Sequence, residues 1–261
     1  ITGQVPRALI GKDTFQEVDI TGVTIPVTKH NFFVTRIEDL ADIVREAFQI
    51  AKSGRPGPVL IDVPRDVQTA LIDYKVDKLR DVAVDMPDAD LIKKAAEALN
   101  GAKRPVMLVG GGIISADAEY EAMHVCEKLH LPVVSTLMGL GCISAYRALF
   151  LGMSGLHGHE RANRALAEAD VILAVGTRFN DRVTGSRTKY SENKTIIHID
   201  IDPAEIDKNI DTNIGISGDM RTALNLLEKN VVAHDLNDWG TKIMAWPSLD
   251  EDYGKAKAPL F

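Results

Sequence analysis

Short apolar runs alternate with helical periodicities over residues 89–230 of the chain. Runs of this length, enriched in β-branched residues and separated by amphipathic patterns, predict parallel strands buried on both faces by helices. The pattern therefore predicts a doubly wound α/β domain with a parallel sheet of about six strands. The predicted strands are PVMLVG (105–110), LPVVST (131–136), ALFLG (148–152), VILAVG (171–176), TIIHIDI (195–201) and IGISGD (214–219), and the predicted helices lie near 89–100, 115–130, 160–168 and 220–229.

The segment before this domain carries fewer elements. An amphipathic pattern near 37–52 predicts a helix, and VLIDV (59–63) predicts a buried strand after a Gly/Pro-rich break. One helix and about two strands are too few to close a sheet alone, so residues 1–70 are interpreted as the tail of a second α/β domain. Residues 71–88 are predicted to be a linker and residues 231–261 an extension toward a further domain.

Composition narrows the possible classes of protein. The 261 residues are 45% hydrophobic and carry a net charge of −7, which is typical of a globular protein and argues against a nucleic-acid-binding surface. Cys126 and Cys142 lack the spacing of metal ligands, and we expect reduced thiols in an intracellular protein. No apolar run approaches 18 residues, so no membrane span is predicted.

Glycine follows almost every predicted strand. In open α/β sheets ligands bind beyond the carboxyl ends of the strands, where glycine allows close backbone approach and could leave amides free to bind phosphate. Glycine also commonly ends strands for purely structural reasons, but its recurrence along one edge favours a mononucleotide or dinucleotide ligand. The glycines concerned are Gly110, Gly111, Gly112, Gly139, Gly152, Gly155, Gly158, Gly176 and Gly218.

Charged residues at two strand ends are candidate ligand contacts. Arg178 and Arg182 carry guanidinium groups suited to a pyrophosphate, although pairing with Asp181 in a solvated loop is the alternative. Asp200 could accept hydrogen bonds from a ribose or an adenine amine. Asp202, which precedes a proline, is predicted to cap a helix. The spacing G-x-G-x-x-G is absent, which argues against the standard nicotinamide-binding fingerprint.

The string HGHE at 157–160 suggests a metal site only superficially. Histidines at i and i+2 lie on different faces of a helix, and no third ligand is placed to complete a site. One histidine near a ligand in a backbone loop is the favoured interpretation. The other histidines, including His198, are scattered and are expected to have structural roles.

Several longer strings resemble one enzyme family. ITGQVPRALIGKDTFQEVDI, VTKHNFFV, SGRPGPVLIDVPRDVQ, LMGLG, GLHG and GTRFNDRVTG are similar in order and spacing to the catalytic subunits of acetolactate synthases, and GQVPR and RFNDRVTG are specific to that family. The resemblance implies thiamine-diphosphate-dependent condensation of two pyruvates, or of pyruvate with 2-oxobutyrate, with loss of carbon dioxide, in branched-chain amino-acid synthesis. It also implies that 1–70 is the end of the pyrimidine-binding domain, that 89–230 is an FAD-binding central domain, and that 231–261 leads to a diphosphate-binding domain.

The same resemblance implies site residues. It places substrate-channel or thiamine-proximal residues at Pro6, Phe15, Gln16, Lys29 and Arg65. It places FAD contacts at Arg55, Gly110, Gly111, Gly112, Thr136, Leu137, Met138, Gly155, Leu156, His157, Gly176, Thr177, Arg178, Asn180, Arg182, Val183, Asp200, Ile201, Asp219 and Met220.

Some positions depart from the family pattern. The family commonly has alanine at the position of Thr177, aspartate at that of Asn180 and lysine at that of Arg65. It also usually has alanine at the position of Thr14, and some members carry glutamate at that of Asp200. The change at Asn180 removes a charge near the expected flavin. The family also needs a catalytic glutamate, expected upstream of Ile1, and a Gly-Asp-Gly motif for Mg²⁺ and diphosphate, expected downstream. We therefore expect no synthase activity from this chain alone.

Two other interpretations stay open at this stage. One is another flavin-containing thiamine-diphosphate enzyme, of the glyoxylate carboligase or pyruvate oxidase type. The other is a non-catalytic nucleotide-binding domain. The resemblance further implies a homodimer or homotetramer of full-length subunits, a possible small regulatory subunit, and a cytoplasmic location in preference to an organelle, without nucleic-acid or membrane partners.

Overall fold

The computed structural model describes residues 1–76, 83–233 and 237–246. It contains two compact units, Ile1–Ala83 and Val84–Phe261. Six of the residues in the predicted linker 71–88, and most of those in the predicted extension 231–261, lie outside the described residues.

The first unit contains a three-stranded parallel sheet of order β1-β3-β2. The predicted helix near 37–52 and the predicted strand 59–63 are both confirmed. The helix packs one face on the sheet, where Ala47 joins Val34 and Ile61 in a buried apolar cluster. The elements are β1 (Thr2–Gln4), α1 (Ile20–Thr24), β2 (His30–Phe33), α2 (Ile37–Lys52), β3 (Val59–Pro64) and α3 (Arg65–Gln68), with 3-10 turns at Arg7–Leu9 and Ile25–Val27.

The second unit is the predicted doubly wound α/β domain. Its strands are β4 (Pro105–Val109), β5 (Val133–Ser135), β6 (Phe150–Met153), β7 (Val171–Val175), β8 (Thr195–Asp200) and β9 (Ile214–Ser217). Its helices are α4 (Ala89–Asn100), α5 (Gly111–Ser115), α6 (Glu119–Lys128), α7 (Glu160–Glu168), α8 (Asp181–Thr184), α9 (Arg187–Ser191), α10 (Met220–Asn230) and α11 (Asn237–Met244), with 3-10 turns at Leu137–Gly139 and Pro203–Glu205.

The six strands are all parallel and lie in the order β6-β5-β4-β7-β8-β9. Every residue of the central strands β4 and β7 is buried, which explains their continuous apolar sequences. Chain order reverses between these two strands, because β4 connects outward to β5 and β7 connects outward to β8. This order is that of dinucleotide-binding sheets, whose crevice opens at the carboxyl ends of the two strands at the reversal.

The structure corrects the predicted boundaries of two elements. The helix predicted near 115–130 is α6, which begins only at Glu119, because Asp117 has a left-handed φ of +56° that a helix does not contain, and the short helix α5 before it was not predicted. The strand predicted at 148–152 begins only at Phe150.

Both cysteines are free thiols and both are buried. Burial raises the pKa of the Cys126 thiol to about 12. Within the described ranges, none of the helices has both the length and the apolar character needed to cross a membrane.

Candidate functional site

The backbones that follow β4 and β7 are in direct contact at the reversal point of the sheet. Gly110 N donates to Val175 O at 2.9 Å, and Gly112 N donates to Gly176 O at 3.0 Å. A Cβ on Gly110 would overlap the Gly176 carbonyl, and one on Gly112 would lie 2.6 Å from Gly176 Cα. The prediction that glycine amides are free for phosphate is therefore wrong at Gly110 and Gly112, where glycine is required for packing between the two loops. It is also wrong at five further strand-end glycines, whose amides donate to protein oxygens: Gly139, Gly155, Gly158, Gly176 and Gly218.

The loop after β7 is further held from the side of β8. Gly176 has a left-handed φ of +60°, and its amide donates to Ile199 O at 2.9 Å. The Nε2 atom of His198 lies 2.8 Å from Thr177 O. His198 is fully buried, so the predicted structural role is confirmed, but its contact with the candidate site could not be read from the sequence.

The loops after β5 and β6 present apolar side chains to solvent. Leu137 and Met138 are 67% and 72% exposed, and Leu156 is 70% exposed. The turn Leu137–Gly139 approaches the β4 loop closely enough that a Cβ on Gly111 would lie 2.9 Å from Met138 Cβ. Apolar groups at neighbouring strand ends offer a surface that a flat aromatic ring can cover.

The residues predicted after β6 lie beside α8. Leu156 N donates to Arg182 O at 2.9 Å, so these two segments are joined through the backbone. A cavity of about 880 Å³ is lined by Leu156 and Arg182, but also by Arg104, Asn193 and Lys194 from the opposite edge of the sheet, so it does not coincide with the reversal point. His157 is exposed in the same loop.

The two predicted arginines are both exposed. The side chain of Arg182 is 73% exposed, and its Nε lies 3.9 Å from an Asp181 carboxylate oxygen, which is the alternative pairing considered for it. Arg178 directly follows the buried Thr177 at the reversal point. Asn180 caps α8, because its side-chain oxygen accepts from Val183 N at 3.1 Å.

Acidic residues follow the ends of β8 and β9. Asp200, at the end of β8, is buried and accepts from Asp202 N at 3.0 Å, and Ile201 follows it. Asp202 accepts from Ala204 N, which confirms the predicted cap, although the element it caps is a 3-10 turn. Asp219 caps α10 through its bonds to Thr222, and the next residue, Met220, is buried.

The metal interpretation of HGHE has a structural alternative. His159 Nδ1 accepts from Met153 N at 3.0 Å, so this imidazole holds the loop after β6. Over residues 1–76, 83–233 and 237–246, no cluster of three or more His, Cys, Asp or Glu side chains is placed to bind a metal ion.

The remaining predicted residues belong to the first unit. Lys29 Nζ donates to Ile50 O and Ser53 O, both at 2.6 Å, so its ammonium group stabilises the C-terminal end of α2. Phe15 is strongly exposed, and Gln16 has a left-handed φ of +64°. The last three lie at element boundaries: Pro6 before a 3-10 turn, Arg55 after α2 and Arg65 at the start of α3.

Burial of His198 predicts a pH-dependent stability. Desolvation holds the pKa of His198 below the usual 6.5. Between these two pKa values the imidazole is protonated in the unfolded chain but mostly neutral in the folded chain. The stability contributed by neutral imidazole is complete above pH 6.5 and declines as the pH falls from 6.5 toward the lower folded-state pKa, by at most about 1.4 kcal/mol per pH unit. Urea unfolding at pH 8 and pH 5 should show a larger loss for the wild type than for His198→Gln, and equal losses would contradict this assignment.

Comparisons with known proteins agree with the fold. Residues 92–227 match the family model described as thiamine pyrophosphate enzyme, central domain. The chain is 44% identical over 275 aligned positions to the acetolactate synthase large subunit of Corynebacterium glutamicum, covering 100% of this chain and 44% of that protein. It is 43% identical over 241 positions to the acetolactate synthase isozyme 1 large subunit of Escherichia coli, covering 92% of this chain and 42% of that protein.

A third relative, the probable acetolactate synthase large subunit of Methanocaldococcus jannaschii, is 45% identical over 277 positions, with 100% of this chain and 47% of that protein covered. The chain spans less than half the length of each of these relatives. The family model, in contrast, matches more than half of this chain and coincides with the six-stranded unit. The chain therefore belongs to the thiamine pyrophosphate enzymes, and residues 92–227 are the central domain of that family.

Proposed function

We propose that this chain is part of the catalytic subunit of an acetolactate synthase, which condenses two pyruvates, or pyruvate and 2-oxobutyrate, with release of carbon dioxide. The observation that carries this proposal is the 43–45% identity to three proteins named acetolactate synthase large subunits. Thiamine diphosphate, held with Mg²⁺, would supply the carbanion chemistry, while the protein would bind and orient the reactants.

The role proposed for the second unit is to bind FAD. Its strand order is that of dinucleotide-binding sheets, and the reversal lies between β4 and β7, where the predicted glycine loops meet. Exposed Leu137, Met138 and Leu156 provide apolar cover for a flavin or adenine ring. Arg178 provides a cation at the reversal point for the pyrophosphate, and Asp200 provides a carboxylate on the far side.

The organisation of the whole enzyme is also a proposal. Residues 1–70 would be the end of the thiamine-pyrimidine-binding domain, carrying Pro6, Phe15, Gln16, Lys29 and Arg65 near the substrate channel, with Arg55 as an FAD contact. Residues 231–261 would lead to the diphosphate-binding domain. Full-length subunits would form a homodimer or homotetramer in the cytoplasm, with a possible small regulatory subunit.

Titration with FAD tests the proposed role of the second unit. We expect the purified chain to quench flavin fluorescence with a stoichiometry of one FAD per chain, and we expect NAD⁺ not to displace the flavin. Binding of NAD⁺ with displacement of FAD would contradict the flavin proposal and favour a nicotinamide-binding domain. The same chain supplied with thiamine diphosphate, Mg²⁺ and pyruvate should form no acetolactate, since the 261 residues contain no Gly-Asp-Gly motif and the resemblance places the family's catalytic glutamate outside them. Product analysis of the full-length enzyme with pyruvate separates acetolactate synthase from the glyoxylate carboligase and pyruvate oxidase alternatives.

A further inference from the structure

Two buried or half-buried side chains hold consecutive carbonyl groups in the loop after β7. His198 Nε2 lies 2.8 Å from Thr177 O, and Asn209 Nδ2 donates to Arg178 O at 2.8 Å. Because a carbonyl can only accept, His198 carries its proton on Nε2. His198 Nδ1 has no hydrogen-bond partner among the described residues, and Nε2 also lies 3.8 Å from an Asp200 carboxylate oxygen, which is beyond hydrogen-bond distance, so the bond of the ring is the one to Thr177 O.

The imidazole of His198 is also fixed by its packing. The ring of Phe179 lies edge-on to it, with 5.0 Å between centroids and 75° between planes. Phe179 packs in turn against Tyr190, with 5.9 Å between centroids. His198 and Phe179 are both buried, so the donor that faces Thr177 has little freedom to turn.

These carbonyl bonds set the direction of the next amides. A trans peptide is planar and points its C=O and the following N–H in opposite directions. The amides of Arg178 and Phe179 therefore point away from His198 and Asn209. In the part of the chain that the structure describes, the amides of Thr177, Arg178 and Phe179 make no hydrogen bond to a protein acceptor.

Unpaired amides are unexpected at this depth. Thr177 is 4% exposed and Phe179 is 2% exposed, and buried backbone donors almost always have an acceptor. Gly176 and Phe179 also have left-handed φ values of +60° and +48°. These two residues bound a turn that contains Thr177 and Arg178, and successive N–H groups in a turn can form an anion-binding backbone concavity.

We propose that His198 and Asn209 are positioning residues of the nucleotide site, which hold the Thr177 and Arg178 carbonyls so that the following amides face the pyrophosphate of the bound dinucleotide. Both act through the loop and not by contact with the ligand. This inference rests on the proposed FAD-binding role, and it adds two residues that the family resemblance did not imply.

The test compares His198→Leu, which removes the donor, with His198→Gln, whose side-chain amide can reach Thr177 O. Asn209→Ala removes the second donor at a half-buried position, where loss of folding is not expected. We expect FAD binding to weaken about tenfold in His198→Leu and by a similar factor in Asn209→Ala, and to stay within about threefold of the wild type in His198→Gln. Fluorescence quenching measures the affinity, and circular dichroism checks the fold.

A second readout separates this inference from the flavin proposal. Inorganic pyrophosphate added to the ¹⁵N-labelled chain should shift the amide resonances of Thr177, Arg178 and Phe179 in the wild type and in His198→Gln, but not in His198→Leu. If these shifts occur while FAD fails to bind, the positioning role stands and the flavin proposal falls. If folded His198→Leu and Asn209→Ala bind FAD and pyrophosphate like the wild type, the positioning role is wrong and the flavin proposal stands. If His198→Leu does not fold, Asn209→Ala decides by the same two measurements.

Discussion

Replacing Gly110 by alanine is expected to lower the free energy of unfolding of the Val84–Phe261 unit by about 3 kcal/mol or more and to abolish FAD binding. The added Cβ would overlap the Gly176 carbonyl and would lie 2.9 Å from Thr177 Cα. Both are backbone atoms next to a fully buried strand, so neither can rotate out of the way as a side chain could. The two loops must separate, which also breaks the bond from Gly110 N to Val175 O. Urea unfolding followed by circular dichroism measures the loss.

Gly101→Ala is the matched control for this substitution. Gly101 follows α4 with a φ of −90°, and a Cβ there would meet only the Glu97 carbonyl at 3.6 Å and the Ala98 carbonyl at 4.0 Å, which are ordinary contacts. We expect its free energy of unfolding to change by less than about 1 kcal/mol, in either direction. Equal effects of the two substitutions would show that the β4 and β7 loops are not packed together as described.

Replacing Arg178 by alanine is expected to weaken FAD binding by about 10- to 100-fold while leaving stability almost unchanged. The side chain is exposed, whereas its backbone is anchored through the bond from Asn209 to Arg178 O, so a fixed loop carries a guanidinium group that is open to a ligand. Because a guanidinium fork can bind two phosphate oxygens at once, Arg178→Lys should restore only part of the affinity. Isothermal titration calorimetry at two salt concentrations measures both the affinity and its electrostatic component.

Arg187→Ala serves as the control for the charge itself. Arg187 is exposed at the start of α9, nine residues after Arg178 in the sequence, and it is not among the predicted FAD contacts. Its replacement changes the net charge by the same amount, and we expect less than about a twofold change in FAD affinity. Comparable losses in the two variants would mean that FAD responds to overall charge and not to a contact at Arg178.

The main strands were predictable because a strand that is buried on both faces consists mostly of apolar residues. β4 and β7 are continuous apolar runs, and a central strand of a parallel sheet admits little else. The helix α5 was not predicted because its five residues, GGIIS, are too few to show a helical periodicity.

The candidate site was predictable in position but not in its hydrogen bonding. That ligand-facing residues follow the strands needs only the polarity of a parallel sheet. The hydrogen bonds from the Gly110 and Gly112 amides to the end of β7 and the loop after it form because β4 and β7 are neighbours in the sheet. The sequence does not reveal this, since 61 residues separate the end of β4 from the start of β7. His198 was undetectable for the same reason, because the carbonyl that it contacts lies 21 residues away in sequence.

Hydrogen exchange of the purified chain with and without saturating FAD tests the central claim most directly, because it maps where the flavin dinucleotide slows exchange of backbone amides. We predict that slowing is concentrated in the segments that follow β4, β5, β6 and β7, and above all at residues 176–180, where the amides of Thr177, Arg178 and Phe179 have no protein acceptor among the described residues. Slowing confined to the opposite edge of the sheet, around residues 103–104 and 192–194, or exchange at 176–180 that FAD leaves unchanged, would contradict it.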